Sequence, residues 1–333
     1  SLMYFDNKLN YNNLYKIVLN YWKMDLSFNK EKLIEKYKPD FAMAYGSGVF
    51  RQDGYAKDEK PMVDFIFGVN NSVEWHERNL TENGLDYSLI SRLGGPKFVN
   101  WLQGIGTGIF YNPYVDFEGQ TIKYGVISIK DLLDDLNNWT SMYVAGRLHK
   151  PVEILKSDVW INRAIQNNLE YAIDVALFLL PEQFKERDLY EMVAGLSYLG
   201  DSRMKFGENP EKIKNIVNGN FNGFKKLYYE IFEKEFSRDK HNLLDRLPQN
   251  LKKELLERVI SMKAEDSLGK EDLRDAISSI VHSSSISQTI KGLVSAGLIK
   301  SVRYAMEKME KARKWIKKLI TFFLVILLMA IIY

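Results

Sequence analysis

The sequence predicts an α/β chain of the α+β kind. A mixed β-sheet around a glycine-rich turn comes first, then a mainly helical, winged-helix-like part, then a C-terminal helix that binds a membrane. Three observations predict this. Two short apolar runs of strand length, Phe41–Tyr45 and Met62–Phe67, lie on either side of Gly46-Ser47-Gly48. From Val159 onward the apolar residues recur at helical spacing. The chain ends in Leu319–Tyr333, apolar except for Thr321 and the closing tyrosine. The expected divisions are 1–155, 156–302 and 303–333.

Taken in order, Leu14, Ile17, Val18, Tyr21 and Trp22, and then Leu33, Ile34 and Tyr37, have near-helical spacing within Asn7–Lys38. The strand Phe41–Tyr45 stops at Gly46. Neither Gly46 nor Gly48 carries a Cβ, so the backbone can turn tightly and approach an anion. Successive amides in such a turn form an anion nest, and the Ser47 hydroxyl adds a donor. Arg51–Lys60 is a polar loop broken by Pro61, and its Asp53, Asp58 and Glu59 read as solvated charges. The second strand sets Asp64 among apolar residues, where a charge is costly unless it is paired or holds a metal. A lone Gly-Ser-Gly is a common turn, and a lone strand aspartate is often an edge residue. Together they have the layout of nucleotidyl transfer: a phosphate cradle beside a metal carboxylate.

Ser72–Leu93 reads as helix, with Trp75 and His76 as packing residues and a substrate contact as the other use of His76. Gly94–Tyr111 reads as a loop. Its Gly104-Ile105-Gly106-Thr107-Gly108 looks like half a dinucleotide fingerprint, without the following acid or a βαβ unit. Phe110–Tyr114 and Gln120–Ile129 are aromatic and β-branched and read as strands. Lys123 in the latter either guards a sheet edge or serves phosphate as a point cation. After a helix over Asp131–Tyr143, Val144–Val152 gathers Arg147, His149 and Lys150. That cluster is either solvated surface or a phosphate grip, with arginine able to bind bidentately. Helices follow over Trp160–Leu180 and Glu182–Tyr198, then a turn in which Asp201 and Arg203 can simply pair with each other. Ser284–Ile299 reads as the second helix of a helix-turn-helix within a small helical or winged-helix module. One lysine and several serines make it a poor reader of DNA, so no nucleic-acid partner is expected.

Composition narrows the chemistry. With 333 residues there is enough chain for two domains, and a net charge of +3 does not call for a polyanionic partner. The absence of cysteine removes disulfides, thiolate catalysis and cysteine zinc sites. Four scattered histidines lack metal-ligand spacing, which leaves no zinc enzyme. The N-terminal stretch has neither a secretory signal nor an Arg-rich transit peptide, and the Lys/Asn/Ile/Tyr-rich composition favours a bacterial source. The apolar end reaches roughly 22 Å as a helix at about 1.5 Å per residue, against a hydrocarbon core of about 30 Å. It would dip into one leaflet or span with local thinning, its cationic collar Lys311–Lys318 among anionic headgroups. A core helix or an oligomer contact is the other use of such a segment, and self-association stays open.

Several stretches together carry a resemblance. Tyr45–Gln52 followed by Met62–Val69 is similar to the signature of the mitochondrial-type CDP-diacylglycerol synthases, the translocator assembly and maintenance family. Further blocks agree in order: Val73–His76 with Asn79, Ile122–Ser128, Ala145–Val152, Leu196–Met204 and Ser284–Gly292. The resemblance implies a nucleotidyltransferase fold and the reaction of CTP with phosphatidic acid to give CDP-diacylglycerol and pyrophosphate, with Mg²⁺. It implies Gly46, Ser47 and Gly48 at the nucleotide phosphates, and Asp64 and Asp201 as metal carboxylates. Lys123, Tyr124, Arg147, Lys150 and Arg203 would serve phosphate, with Asp64, Lys123 and Asp201 at the chemistry. The lipid phosphate is already anionic, so in-line attack at the α-phosphorus needs no strong base. The wider superfamily usually has a second acid two residues after the first, and here that position is Ile66. The implied location is the cytoplasmic face of a bacterial membrane, or the matrix face of the mitochondrial inner membrane in a eukaryote. A soluble acceptor, or a non-catalytic assembly factor with a decayed nucleotide site, are the competing readings.

Overall fold

The computed structural model describes residues 29–49, 62–201, 204, 211–236, 243–262 and 269–292. The expectations for Asn7–Trp22, the loop Arg51–Lys60, Arg203 and the tail 303–333 lie outside the described residues.

Five strands form one mixed sheet in the order β3-β4-β2-β1-β5. They are β1 Phe41–Tyr45, β2 Val63–Val69, β3 Ile109–Phe117, β4 Gln120–Ser128 and β5 Glu153–Lys156. Among the described residues only the β2–β4 pair is parallel. A parallel pair cannot be joined by a hairpin, and the crossover here comprises α2 Ser72–Glu82, α3 Leu89–Gly104 and β3. Side chains alternate across each strand, and the two faces are covered differently. One face packs Phe65, Phe67 and Tyr124 against Leu33 and Tyr37 of α1 (Lys30–Tyr37) and Trp75 of α2. The other joins Met43, Ile66, Tyr111 and Ile127 to the helical half of the chain.

That half contains α4 Ile129–Asn138, α5 Ala145–Leu148, α6 Val159–Leu179, α7 Glu186–Leu196, α8 Lys212–Gly219 and α9 Phe221–Phe236. Beyond these lie α10 Leu243–Arg246, α11 Gln249–Met262 and α12, residues 270–292. Side chains two or three residues ahead of the amides they accept from fix several helix starts. Asn29, Asn71, Ser88, Ser128 and Asp158 cap α1, α2, α3, α4 and α6.

Several elements depart from their predicted bounds. The helix expected over Ser72–Leu93 ends at Glu82, and after a 3₁₀ turn at Gly84–Asp86 a new helix starts at its Ser88 cap. The loop expected from Gly94 is therefore helical to Gly104, with Gly95 (φ +72°) as the kink. The helix expected to reach Tyr143 stops at Asn138 because Trp139 turns left-handed at φ 54°. The short edge strand β5 was not foreseen, since four residues give little alternation. Ser284 does not open a second helix: it lies inside the continuous α12. Among the described residues of 211–292 no strand occurs.

Candidate functional site

Strand register builds the centre of the site. The parallel β2–β4 pairing sets Asp64 beside Lys123, and the antiparallel β1–β2 pairing sets Tyr45 on the other side of Asp64. All three share the face toward the helices. Lys123 Nζ lies 3.4 Å from Asp64 Oδ1, with side chains 17% and 25% exposed. That oxygen is buried without a hydrogen bond.

The glycine turn lies directly on this carboxylate. Gly46 adopts φ +83°, and a Cβ there would sit 3.5 Å from Asp64 Oδ2. Val49 N donates to Gly46 O at 3.1 Å and closes the turn. At Gly48 a Cβ would meet Met62 O at 2.6 Å, so only glycine lets the turn press onto the start of β2.

From Asp64 a train of cations, each facing an aromatic ring, runs toward the helices. Lys123 Nζ stands 4.3 Å over the ring of Tyr111. That ring lies against Gly125, where a Cβ would come within 2.5 Å of Tyr111 Cε1. The Tyr111 and Tyr45 hydroxyls are 3.1 Å apart. The Arg147 guanidinium is 5.3 Å from the Tyr45 ring and 3.8 Å from that of Tyr143. It also donates to Tyr143 O, while its Nε is buried without a hydrogen bond. Lys150 donates to Gly146 O and, at 2.8 Å, to Ser197 Oγ. Lys150 and Lys212 stand 5.0 and 4.9 Å over the ring of Tyr198. Burial, and then the neighbouring charges of Arg147 and Lys212, hold the Lys150 ammonium well below the usual lysine range.

Arg147 and Lys150 owe their positions to a buried scaffold. Asp135 Oδ1 accepts from Ser141 N at 2.8 Å, and Oδ2 from Val144 N and Ala145 N at 2.8 and 2.9 Å. Asn168 Oδ1 accepts from Trp139 Nε1 at 2.8 Å, and Asn168 Nδ2 donates to Ala145 O at 3.0 Å. These bonds hold the 139–145 segment and α5 in one arrangement, with Arg147 and Lys150 one helical turn apart.

The remaining predicted residues divide. Asp201 is buried in the turn after α7, where its Oδ1 accepts from Ser285 Oγ of α12 at 2.8 Å. Tyr124 belongs to the core and not to the phosphate site. It follows Lys123 in a strand, so it faces the opposite side of the sheet, where it is fully buried. Its hydroxyl donates to Asp86 Oδ2 at 2.7 Å and accepts from Asn79 Nδ2 at 2.9 Å. His76 is a packing residue, enclosed between Tyr87 and Gln103 at 2.8 Å each, and burial lowers its pKa to about 4. His149 turns away from Arg147 and Lys150 toward Trp139 and Asn168, and burial, then the Lys150 charge, lowers its pKa to about 3. The Gly104–Gly108 stretch serves packing: Gly106 faces Ser287, and Thr107 donates to Gln288 at 2.6 Å.

Sequence reasoning missed Lys212 and the tyrosines at 45, 111, 143 and 198. The tyrosines read as ordinary strand or helix residues, and nothing near Lys212 in sequence marks it. Among the described residues no three His, Cys, Asp or Glu side chains gather as a metal cage. One buried, unbonded carboxylate oxygen on a side chain that lies beside a glycine turn suits Mg²⁺ as that ion is commonly held, by one or two carboxylates plus substrate phosphates.

A family model described as "Phosphatidate cytidylyltransferase, mitochondrial" matches residues 30–247 and 234–311. Proteins of that same name are similar along most of their length. The Schizosaccharomyces pombe protein is 38% identical over 337 residues, covering 87% of this chain and 86% of its own. The Danio rerio protein is 38% identical, covering 86% and 95%. The Mus musculus protein is 39% identical, covering 83% and 92%. These relatives are eukaryotic, so the bacterial source and bacterial membrane face expected from composition have no support.

Proposed function

Because the chain belongs to the family of mitochondrial phosphatidate cytidylyltransferases, we propose that Gly46–Gly48, Asp64 and the adjoining cations are where its two substrates react. The enzyme is a nucleotidyltransferase that converts CTP and phosphatidate into CDP-diacylglycerol and pyrophosphate. An oxygen of the lipid phosphate forms a bond to the α-phosphorus of CTP as the bond from that phosphorus to the bridging oxygen of the β-phosphate breaks. Pyrophosphate leaves with the electron pair. The nucleophile carries its own charge, so the chain must align two anions and suppress their repulsion. That need agrees with a site rich in cations and with histidines buried as neutral packing groups.

In this reading the turn amides and Ser47 hold the terminal phosphates of CTP, and Lys123 meets the triphosphate from the adjoining strand. Arg147, Lys150 and Lys212 receive the lipid phosphate. Mg²⁺ held by Asp64 would supply charge neutralisation at the phosphate oxygens. Asp201 as a further metal carboxylate and Arg203 as a phosphate ligand rest on the sequence resemblance of their turn. The nucleotidyltransferase reading of the sheet and the winged-helix reading of 156–302 rest on the same footing. The relatives' names say mitochondrial, and the sequence resemblance extends this to the matrix face of the inner membrane, with Leu319–Tyr333 and Lys311–Lys318 as the membrane contacts. Among the described residues no helix is long and apolar enough to cross a membrane.

The observation that carries the site is the Asp64 carboxylate, with one oxygen buried and unbonded, lying against both Gly46 and Lys123. Radiolabelled CTP with Mg²⁺ and phosphatidate in mixed micelles tests it. Asp64→Asn is expected to lower transfer of label into lipid by about 10²–10³-fold while the melting temperature hardly moves. Retention of wild-type transfer would remove Asp64 from the centre of the reaction.

A further inference from the structure

The segment from Leu85 to Leu93 is built largely inside out. In the first turns of α3 the buried positions are Ser88 and Ser91, whose hydroxyls bond each other at 3.0 Å. The apolar side chains face water: Leu85 is 84% exposed, Leu89 65%, Ile90 52% and Leu93 80%. Beyond the Gly95 kink Trp101 follows at 61%. A helix on a protein surface ordinarily turns this pattern the other way, and an apolar patch of this kind marks a place where something binds. Arg92 and Lys97 are exposed on the same helix.

A second element reaches this surface. Lys291 of α12 donates to Gln103 O at 3.0 Å and to Ile105 O at 2.6 Å, and Gln288 accepts from Thr107. Ile290, next to the clamp, is 61% exposed. The described part of α12 therefore packs against the C-terminal end of α3.

We propose that the exposed face of α3 is a membrane-docking surface that inserts into the phosphatidate-bearing bilayer, a contact separate from the tail. This rests on the lipid substrate of the reading above. Leucines and an interfacial tryptophan flanked by cations are the composition of a segment that lies at the headgroup boundary of an anionic membrane. Arg92 and Lys97 complement the negative charge of phosphatidate headgroups.

The chain has no cysteine, so a single Leu93→Cys variant takes one environment-sensitive fluorophore at one site. Glu82→Cys, exposed at the end of α2, is the comparison. With phosphatidylcholine vesicles containing phosphatidate and nitroxide-labelled acyl chains, the probe at 93 is expected to shift to the blue and be quenched, and the probe at 82 to do neither. The exposed double variant Leu89→Ser/Leu93→Ser is expected to partition onto these vesicles roughly tenfold or more weakly. Its CDP-diacylglycerol formation in detergent micelles should stay at the wild-type rate. An unquenched probe at 93 overturns the proposal. So does a probe already shielded in dilute solution before vesicles are added, which would mean that the tail covers the patch. Shielding that grows with protein concentration overturns it in favour of a second copy. Loss of micelle activity in the wild type would strike the enzymatic reading instead, since the probe measurements do not depend on turnover.

Discussion

Position 64 tolerates a carboxylate within an apolar strand because its register neighbours are Tyr45 and Lys123, not two aliphatic residues. Two positions on, Ile66 shares the face but is fully buried opposite Met43 and Gly125, so the sheet leaves no place there for the second acid of the wider superfamily. Lys123 and Tyr124 show how one residue of register separates roles. The lysine faces the site, and the tyrosine faces a buried polar network with Asp86 and Asn79. Tyr124→Phe should therefore lower stability by about 1–2 kcal/mol, the cost of leaving buried partners short of a bond, with CDP-diacylglycerol formation unchanged. Urea denaturation and a micelle assay check the two halves, and a fall in rate at unchanged stability would return Tyr124 to the phosphate site. Asp64 was legible in the sequence because a charge stands out in an apolar run. Lys212 and the tyrosine rings were not, because ring-over-cation contacts join residues far apart in the chain and leave no local spacing.

Among the elements, β1 kept its predicted bounds because Gly46 ends it, and α6 and α7 differ from expectation by a few residues at their ends. The misreading of 83–104 has a physical cause. Gly94-Gly95-Pro96 reads as the end of a helix, whereas Gly95, at φ +72°, only kinks α3 and the helix runs on to Gly104. The clamp from α12 was illegible for another reason, since a lysine near the end of a helix reads as solvated. In the fold Lys291 is almost fully buried, and burial lowers its pKa from 10.5 to about 7 against a smaller opposing effect of Asp131. Between those two values the folded chain binds fewer protons at this group than the unfolded chain does. Stability gains from Lys291 as pH rises from about 7 toward 10.5, and that gain is lost as pH falls back through about 7. Lys291→Met removes this contribution, so the melting temperatures of variant and wild type should diverge steadily with pH across the window. Parallel curves would mean that Lys291 keeps its ordinary pKa.

At the scale of the whole molecule, one apolar core runs through both halves. Phe41, Met43 and Ile66 of the sheet share it with Ile161, Val193, Phe224 and Ile277 of the helices. The sequence division near 155 thus marks a change in secondary structure while the packing continues across it. Similarly, a net charge of +3 gives no hint that Lys123, Arg147, Lys150 and Lys212 string out from a single carboxylate. That train of cations works against the fold until an anion arrives, because like charges held near one another and out of water raise the energy of the empty protein. Lys150→Met is expected to raise the melting temperature of the substrate-free enzyme while lowering its turnover. Pyrophosphate should stabilise the wild type more than the variant, and equal thermal shifts would count against Lys150 as an anion ligand. In the proposed site, stability and turnover would therefore pull in opposite directions at these residues. The consequence extends to the end of the catalytic cycle: in the proposed site the charge that would draw CTP in would also detain pyrophosphate, so product release would set the limit on how tightly the site can hold its substrate.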